Sequence, residues 1–232
     1  MVEGLTADPD LLRLRHYLGL DEPLVAIESE LAKDRLLRSI LPHTSGIALL
    51  RQDPWECLIS FIISAFNNIP KIELSLDRLT RRFGDAVAGG AWSFPEPARL
   101  AGASLGDLRQ CALGYRAPYV REVARLMASG QSELHAIEQM PFHEARRALR
   151  ALPGVGEKVA DCVLLFAYRR GEAFPVDVWV KRAVERWYLH GRRATARQVQ
   201  EFARRRFGSM AGYAQQHLFC SARASARRSA RA

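Results

Sequence analysis

A glycine hairpin between two helical runs is the feature that most limits the fold of this chain. It lies in segment 152–162, which reads Leu-Pro-Gly-Val-Gly-Glu-Lys-Val-Ala-Asp-Cys. Two glycines two apart after a proline predict a tight loop that reaches positive φ and lets another molecule approach its backbone. Residues 157–168 contain no glycine or proline and carry apolar side chains at helical spacing, so a helix is expected after the loop.

The first amides of that helix predict an anion contact. They are unpaired donors at the positive end of the helix dipole, which favours groups such as phosphate. Nucleotide-binding loops also place glycines before a helix, but this chain has neither GxxxxGK[ST] nor GxGxxG. The preceding run 144–150 is arginine-rich and helical, where those folds require an apolar strand.

Lys158 lies in the first turn of this helix, where the dipole disfavours a cation. Four of the 34 basic residues are lysines and the other 30 are arginines, so the chain uses lysine sparingly. A guanidinium does not form a Schiff base, whereas a neutral amine is a nucleophile. Lys158 is therefore a candidate nucleophile, and an ordinary surface lysine is the alternative that this pattern leaves open.

Helical patterns follow one another along the chain, and strand signals are almost absent, so the predicted fold class is all-α. Asp53 and Pro54 are typical of a helix start, and the run 57–66 that follows is apolar on all sides, which predicts a buried central helix. Residues 22–40 are expected to form one helix. The stretch 84–114 holds most of the glycines and prolines and is expected to join two helical halves.

Composition excludes several classes of protein. A chain of 232 residues with 48% apolar composition can bury a core, and its longest apolar run, near residues 58–66, is too short to span a membrane. Residues 1–20 lack the pattern of a signal peptide, so we expect an intracellular protein that is not secreted. The cysteines stand alone, which argues against a zinc site, an iron-sulfur cluster or disulfides; they are Cys57, Cys111, Cys162 and Cys220.

The net charge of +9 is concentrated near the C-terminus. Residues 192–232 contain ten arginines and one acid, Glu201, while the preceding residues balance at 24 basic and 24 acidic. This distribution predicts a polyanionic partner that is attracted without regard to sequence. The last stretch consists almost wholly of serine, alanine and arginine and is expected to be a disordered, solubilising tail.

Asp177 stands just before a predicted helix that begins at Val178, so its ordinary role is that of an N-cap. A functional role is also open. A carboxylate held at the positive end of a helix and facing the amine of Lys158 suits displacement at a sugar carbon that develops oxocarbenium character.

The hairpin motif, followed by Pro-Val-Asp-Val at 175–178, resembles the helix-hairpin-helix DNA glycosylases, and specifically the bifunctional 8-oxoguanine DNA glycosylase/AP lyases. The similarity extends over roughly residues 8–221, through segments 51–58, 67–69, 113–119 and 214–219. It implies the helix-hairpin-helix glycosylase fold, with two helical subdomains and an active site in the cleft between them. The implied division is an N-terminal helical segment 1–45, a glycosylase/lyase domain 46–221 with hairpin 152–157, and a basic tail 222–232.

The resemblance also implies residue roles. Lys158 matches the lysine that forms the Schiff base, and Asp177 matches the catalytic aspartate. The flipped base is expected to stack between Cys162 and Phe219, with Gln215 bonding its pairing edge. The implied DNA contacts are Gly154, Val155 and Gly156 in the hairpin, and Asn67, Asn68, Lys71 and Arg116 near the vacated stack and the orphan cytosine.

The expected partner is double-stranded DNA that contains a damaged base. The chemistry implied by the resemblance requires no metal and no cofactor. No membrane association and no obligate protein partner are expected, and the protein is expected to act as a monomer, in the cytoplasm or nucleoid if its source is prokaryotic.

The chain departs from the eukaryotic members of the family in four places. Those members begin with a β-rich domain that helps to discriminate the oxidised base, whereas this chain opens with predicted helices. Phe66 stands where a cytosine contact would be expected, and Lys71 replaces an expected arginine, so selectivity for the opposite base is expected to be relaxed. Trp179 stands where those members carry histidine.

Two alternatives remain beside an enzyme for oxidised purines. One is an endonuclease III-like or other helix-hairpin-helix glycosylase with different lesions, although this chain lacks the four-cysteine cluster of endonuclease III. The other is a non-catalytic DNA-binding module, although Lys158 and Asp177 are both present. Lys158 also argues against the monofunctional members, which use the aspartate without a lysine.

Overall fold

The structure is a computed structural model that describes residues 9–229, and its regular structure is helical, as predicted. Within these residues the one strand-like pairing is an isolated bridge between Ala86 and Trp92. None of the described helices is long and apolar enough to cross a membrane. They are α1 (Pro9–Tyr17), α2 (Leu24–Leu31), α3 (Arg35–Ile40), α4 (Pro54–Ser64), α5 (Ile69–Phe83), α6 (Pro97–Gly102), α7 (Leu105–Gln110), α8 (Ala117–Ala128), α9 (Ala136–Gln139), α10 (Phe142–Arg150), α11 (Glu157–Phe166), α12 (Val178–Trp187), α13 (Ala196–Phe207) and α14 (Ala211–Ser229).

The chain divides into two compact units, and the second is inserted into the first. Unit 1 comprises the chain up to Gln52 and from Leu164 onward, and unit 2 comprises Asp53–Val163. The prediction that residues 84–114 join two halves is therefore wrong, because this stretch lies wholly within unit 2. Its apolar side chains explain the difference: Leu100 and Leu108 are fully buried, and α6 packs against α8.

Helix α4 is largely buried in unit 2, where it packs against α5 and α8. It begins where predicted, because the Asp53 carboxylate accepts hydrogen bonds from the amides of Trp55 and Glu56, both at 2.9 Å, and Pro54 fills the first position. Its buried side chains are Cys57, Leu58, Ile59, Ile62 and Ile63. The prediction that this buried run continues to residue 66 is wrong: α4 ends at Ser64, and Phe66 is fully exposed.

Helices α3 and α12 pack against α14 in unit 1. Asp34 interrupts the predicted helix 22–40, because its carboxylate caps α3 by accepting from the amides of Leu36 and Leu37. The same carboxylate accepts from the Tyr188 hydroxyl at 2.9 Å and from Arg206 Nε at 2.5 Å. Burial would raise the pKa of Asp34, but these hydrogen bonds outweigh it and lower that pKa below its usual value.

The C-terminal end of the described chain is helical. We expected a disordered tail from residue 222, but α14 continues to Ser229, so residues 222–229 are ordered in the helix. Alanine and arginine are among the strongest helix formers, which accounts for this continuation. The remaining predicted tail, residues 230–232, lies outside the described residues.

Candidate active site

The glycine hairpin connects α10 and α11 in unit 2. Gly154 has φ +78°, and a Cβ added there would lie 2.8 Å from the Cβ of Tyr119, so both the backbone conformation and the space require glycine. Gly156 does not adopt a positive φ, and a Cβ added there would meet open space. The amide of Val155 donates to the carbonyl of Leu152 at 3.1 Å and closes the turn.

Helix α11 presents free amides beside the hairpin. The amide of Ala160 donates to the carbonyl of Gly156 at 3.0 Å, so Gly156 accepts the first hydrogen bond of the helical ladder. The amides that precede Ala160 in the helix have no acceptor within the ladder, and they lie at the positive end of the helix dipole. The hairpin and the first turn can therefore bind a backbone phosphate.

A buried ion pair fixes α10 against α11. The guanidinium of Arg146 binds the carboxylate of Asp161 through two hydrogen bonds, from Nε at 2.6 Å and from Nη2 at 3.2 Å. Asp161 is only 2% exposed. Because such a bidentate pair fixes both distance and orientation, it holds the two helices on either side of the hairpin. The sequence signal was present, since Asp161 belongs to the hairpin motif, but nothing in the sequence indicated Arg146 as its partner.

Lys158 is the second residue of α11 and is half-buried. Its Nζ lies 3.4 Å from the Ser64 hydroxyl oxygen and 4.9 Å from the centre of the Phe61 ring. Two other lysines show a different environment, because Lys33 and Lys181 each bind a glutamate at 2.6 Å. The Lys158 amine thus lies against a hydroxyl and an aromatic ring of α4, neither of which was singled out from the sequence.

Cys162 lies one helical turn beyond Lys158 and is 3% exposed. The neighbouring Cys57 is fully buried, and burial, followed by the proximity of Cys162, raises the pKa of the Cys57 thiol. A neutral thiol side by side with apolar groups behaves as a small, polarizable hydrophobe. Both cysteines are therefore buried in unit 2, and stacking of a base on Cys162 stays a prediction.

Asp177 is the N-cap of α12 in unit 1, as its position in the sequence predicted. One carboxylate oxygen accepts from the amide of Val180 at 2.7 Å. The cap therefore fixes the position of this carboxylate at the N-terminal end of α12.

Gln215 and Phe219 are one turn apart on α14, also in unit 1. Gln215 is 4% exposed, and its side-chain oxygen accepts a hydrogen bond from the side-chain nitrogen Nε2 of Gln216 at 2.5 Å. Phe219 is half-buried, with the guanidinium carbon of Arg223 lying 5.5 Å from its ring centre. Gln215 is thus a buried amide, and Arg223 is a neighbour of Phe219 that sequence reasoning missed.

The four DNA contacts predicted outside the hairpin lie near one loop of unit 2, between α4 and α5. Asn68 caps α5 by accepting from the amide of Lys71 at 3.0 Å, and the side chain of Lys71 is exposed. Asn67 donates its amide to the carbonyl of Ile63 at 3.1 Å. Arg116 is only 4% exposed and binds the carbonyls of Ala65 and Phe66, so here it supports the loop, and a DNA contact by Arg116 stays a prediction.

The candidate residues are distributed over both units. Unit 2 carries Lys158, Cys162, Gly154, Val155, Gly156, Asn67, Asn68, Lys71 and Arg116. Unit 1 carries Asp177, Gln215 and Phe219. The hairpin and the amine are therefore presented by one unit, and the capped carboxylate and the aromatic ring by the other.

Comparison with known protein families shows which family the chain belongs to. Residues 59–208 match the model of the HhH-GPD superfamily base excision DNA repair proteins. The chain belongs to this superfamily. Residues 5–58 match the model of the 8-oxoguanine DNA glycosylase N-terminal domain, and the described part of this stretch, from residue 9, contains α1–α3 and the start of α4. The resemblance drawn from the hairpin motif is thereby confirmed.

Individual HhH-GPD relatives agree with this assignment. The chain is 39% identical over 217 residues to the probable N-glycosylase/DNA lyase of Methanothermobacter thermautotrophicus, which covers 83% of this chain and 69% of the relative. It is 33% identical to the N-glycosylase/DNA lyase OGG1 of Arabidopsis thaliana, covering 90% of this chain and 61% of the relative. The 8-oxoguanine glycosylase/lyase of Clostridium acetobutylicum, solved with DNA that contains cytosine opposite 8-oxoguanine, matches with TM-score 0.87 and 35% identity, over 91% of this chain and 74% of that one.

Proposed function

We propose that this HhH-GPD protein is a bifunctional DNA glycosylase and AP lyase that excises 8-oxoguanine from double-stranded DNA and then nicks the strand. The observation that carries the proposal is Lys158: a primary amine in the first turn of the hairpin helix, beside a serine hydroxyl and an aromatic ring. Relatives named N-glycosylase/DNA lyase support both activities, and the Clostridium enzyme supports the lesion.

In the proposed reaction the Nζ lone pair of Lys158 forms a bond to C1′ of the damaged nucleotide. The glycosidic bond breaks, and its electron pair leaves with the base, which takes up a proton. The C1′–O4′ bond then breaks, its electron pair goes to O4′, which takes up a proton, and Nζ loses its proton and uses the freed lone pair to form the C=N bond of an imine with C1′. Loss of a C2′ proton expels the 3′ phosphate oxygen by β-elimination, which nicks the strand 3′ to the lesion.

Asp177 is proposed to stabilise the positive charge that develops on the sugar and to take up the proton that Lys158 releases. A carboxylate fixed by its hydrogen bond to the Val180 amide needs no reorganisation when this charge appears, which is the condition for electrostatic catalysis. Its capping role and its proposed catalytic role are compatible, because a capping oxygen uses only part of the acceptor capacity of a carboxylate.

Cys162, Gln215 and Phe219 are proposed to receive the extruded base. A thiol and an aromatic ring both stack on a flat heterocycle, and the buried amide of Gln215 can bond its pairing edge. Stacking of this kind accepts any flat ring, so the site is expected to select a purine by size. The proposed place of action is the chromosome, in the nucleoid if the source is prokaryotic.

The DNA backbone is proposed to be held by the hairpin residues 154–156, through the amides of Gly154 and Gly156, and by the excess of arginines from residue 192 onward. Contacts of this kind position the strand and carry no sequence information. Binding to an undamaged duplex is therefore expected to weaken steeply as salt concentration rises.

Covalent trapping with borohydride tests the proposal. The protein is incubated with a panel of duplexes, each carrying one damaged base, and the imine is reduced to a stable crosslink. We expect trapping on the 8-oxoguanine duplex, loss of trapping in Lys158→Gln with retained DNA binding, and normal trapping in Lys33→Gln, which removes an exposed lysine paired with Glu30. Trapping by Lys158→Gln would mean that another amine is the nucleophile, and trapping on other lesions alone would contradict the proposed substrate.

A further inference from the structure

The last turn of α4 meets the amine of Lys158 within unit 2. Ser64 is the final residue of α4, and its hydroxyl oxygen lies 3.4 Å from Nζ of Lys158. Phe61 lies one turn earlier on the same helix, and its ring centre is 4.9 Å from the same nitrogen. All three side chains are half-buried. Two side chains of one helix therefore limit the space in which the amine moves.

The hydrogen of the Ser64 hydroxyl is already bonded to the backbone. Because α4 ends at this residue, the amide of Ala65 donates to the carbonyl of Ile62, at 3.3 Å. The carbonyl of Phe61 accepts from the Ser64 hydroxyl at 2.8 Å, in the way that side chains satisfy carbonyls at a helix end. A hydroxyl has one hydrogen and two acceptor lone pairs, so the Ser64 oxygen can only accept from the amine.

The ring of Phe61 acts in the same direction on a second side of the amine. The face of an aromatic ring carries partial negative charge, so it attracts N–H hydrogens and repels a lone pair. A neutral primary amine has two N–H hydrogens and one lone pair. The Ser64 oxygen and the Phe61 ring each favour one of these hydrogens, and the lone pair of Lys158 then points away from α4.

We propose that Ser64 is a positioning residue that aims the attacking lone pair of Lys158, an inference that rests on the proposed function. At an abasic site the Nζ lone pair forms a bond to the aldehyde carbon C1′. The aldehyde oxygen then leaves as water with the two amine hydrogens, which gives the imine. Since attack requires aligned orbitals, its rate depends on how often the lone pair points outward. Ser64 acts through the amine and forms no bond to the sugar.

A purely structural role for Ser64 is the alternative, because its hydroxyl also satisfies a carbonyl at a helix end. Ser129 provides a matched comparison in the same unit. It is the C-cap of α8, and its hydroxyl donates to the carbonyl of Leu126, also three residues earlier, at 3.2 Å. Ser129→Ala therefore removes the same kind of backbone bond at the end of a different helix.

The experiment compares imine formation with DNA binding. Ser64→Ala removes the acceptor, and Ser64→Thr restores a hydroxyl that can bond the same carbonyl. The substrate is a duplex with a preformed abasic site, which needs no base excision. Borohydride transfers hydride to C1′ of the imine, and the crosslink is followed at saturating protein to give a first-order rate. Binding is measured as the Kd for a tetrahydrofuran analogue, which has no aldehyde and forms no imine.

Ser64→Ala is expected to form the crosslink about 3- to 10-fold more slowly than the wild type, the range that corresponds to loss of one hydrogen bond. Its Kd for the tetrahydrofuran duplex is expected to be unchanged. Ser64→Thr and Ser129→Ala are expected to form the crosslink at the wild-type rate. A lower rate at an unchanged Kd separates positioning of the amine from binding of the DNA.

A wild-type crosslinking rate in Ser64→Ala overturns the inference, and so does an equally slow rate in Ser64→Thr or Ser129→Ala. Excision of 8-oxoguanine is read separately. A wild type that excises no 8-oxoguanine, while crosslinking at the abasic site is slowed by Ser64→Ala, contradicts the proposed substrate alone. A wild type that excises it, while Ser64→Ala crosslinks normally, contradicts the inference alone. A wild type that forms no crosslink contradicts both.

Discussion

Replacement of Asp177 by asparagine separates two roles that coincide in one side chain. Asp177 caps α12 through a hydrogen bond of 2.7 Å to the amide of Val180, and it is also the proposed catalytic carboxylate. Asparagine caps a helix about as well as aspartate, so Asp177→Asn keeps this bond and removes only the charge. A charge at a helix N-terminus contributes about 0.3–1 kcal/mol, which bounds the expected loss of stability.

The expected loss of catalysis is larger. Removing a preorganised group that stabilises transition-state charge costs roughly 3 kcal/mol, which corresponds to a rate about 100-fold lower or more. Asp177→Ala removes the cap as well and is expected to lose about 1 kcal/mol in the free energy of unfolding. The two substitutions should therefore share the catalytic defect and differ in stability.

The assay is single-turnover excision from an 8-oxoguanine duplex, with denaturant unfolding of each variant. Asp53→Asn is the matched control, because Asp53 caps α4 through the amides of Trp55 and Glu56 and has no proposed catalytic role. It should excise at the wild-type rate. Near-normal excision by Asp177→Asn would leave Asp177 with a structural role only, and an equal defect in Asp53→Asn would attribute the loss to weakened capping.

Two further predictions concern the base site and the pH dependence of stability. Phe219→Ala should slow excision of 8-oxoguanine by about 10-fold or more while sparing strand nicking at a preformed abasic site, which needs no stacked base; equal loss on both substrates, with the fold intact, would contradict the assignment of Phe219. Burial lowers the pKa of His217, whose Nδ1 lies 2.8 Å from the Thr44 hydroxyl, while Glu28 opposes the shift. The unfolded chain then gains a proton that the native state lacks, so the free energy of unfolding should fall as pH drops below about 6.5, by up to ~1.4 kcal/mol per pH unit, until the native pKa is reached. Denaturant unfolding at several pH values between 7 and 5 measures how the free energy of unfolding changes with pH. This free energy should fall less steeply with decreasing pH in His217→Gln than in the wild type, and as steeply as in the wild type in His135→Gln, which changes an exposed histidine. An unchanged pH dependence in His217→Gln would refute the reasoning.

The sequence by itself determined the local elements on which the proposed site depends. It gave the hairpin, the position of Lys158 in the first helical turn, and the caps formed by Asp53 and Asp177. Each of these follows from residues within one helical turn, because a cap, a proline at the first position or a left-handed glycine acts on the backbone immediately beside it. Such local signals can therefore be recognised from a short segment of sequence alone.

Only the tertiary structure decided what depends on distant partners. Arg116, which the resemblance placed among the DNA contacts, is buried and donates to the carbonyls of Ala65 and Phe66, about fifty residues away in the chain. Phe66, expected in a buried helix, is fully exposed because α4 ends before it, and the pairing of Arg146 with Asp161 needs two helices to pack. Burial and ion pairing are properties of packed neighbours, and periodicity in one segment cannot specify them.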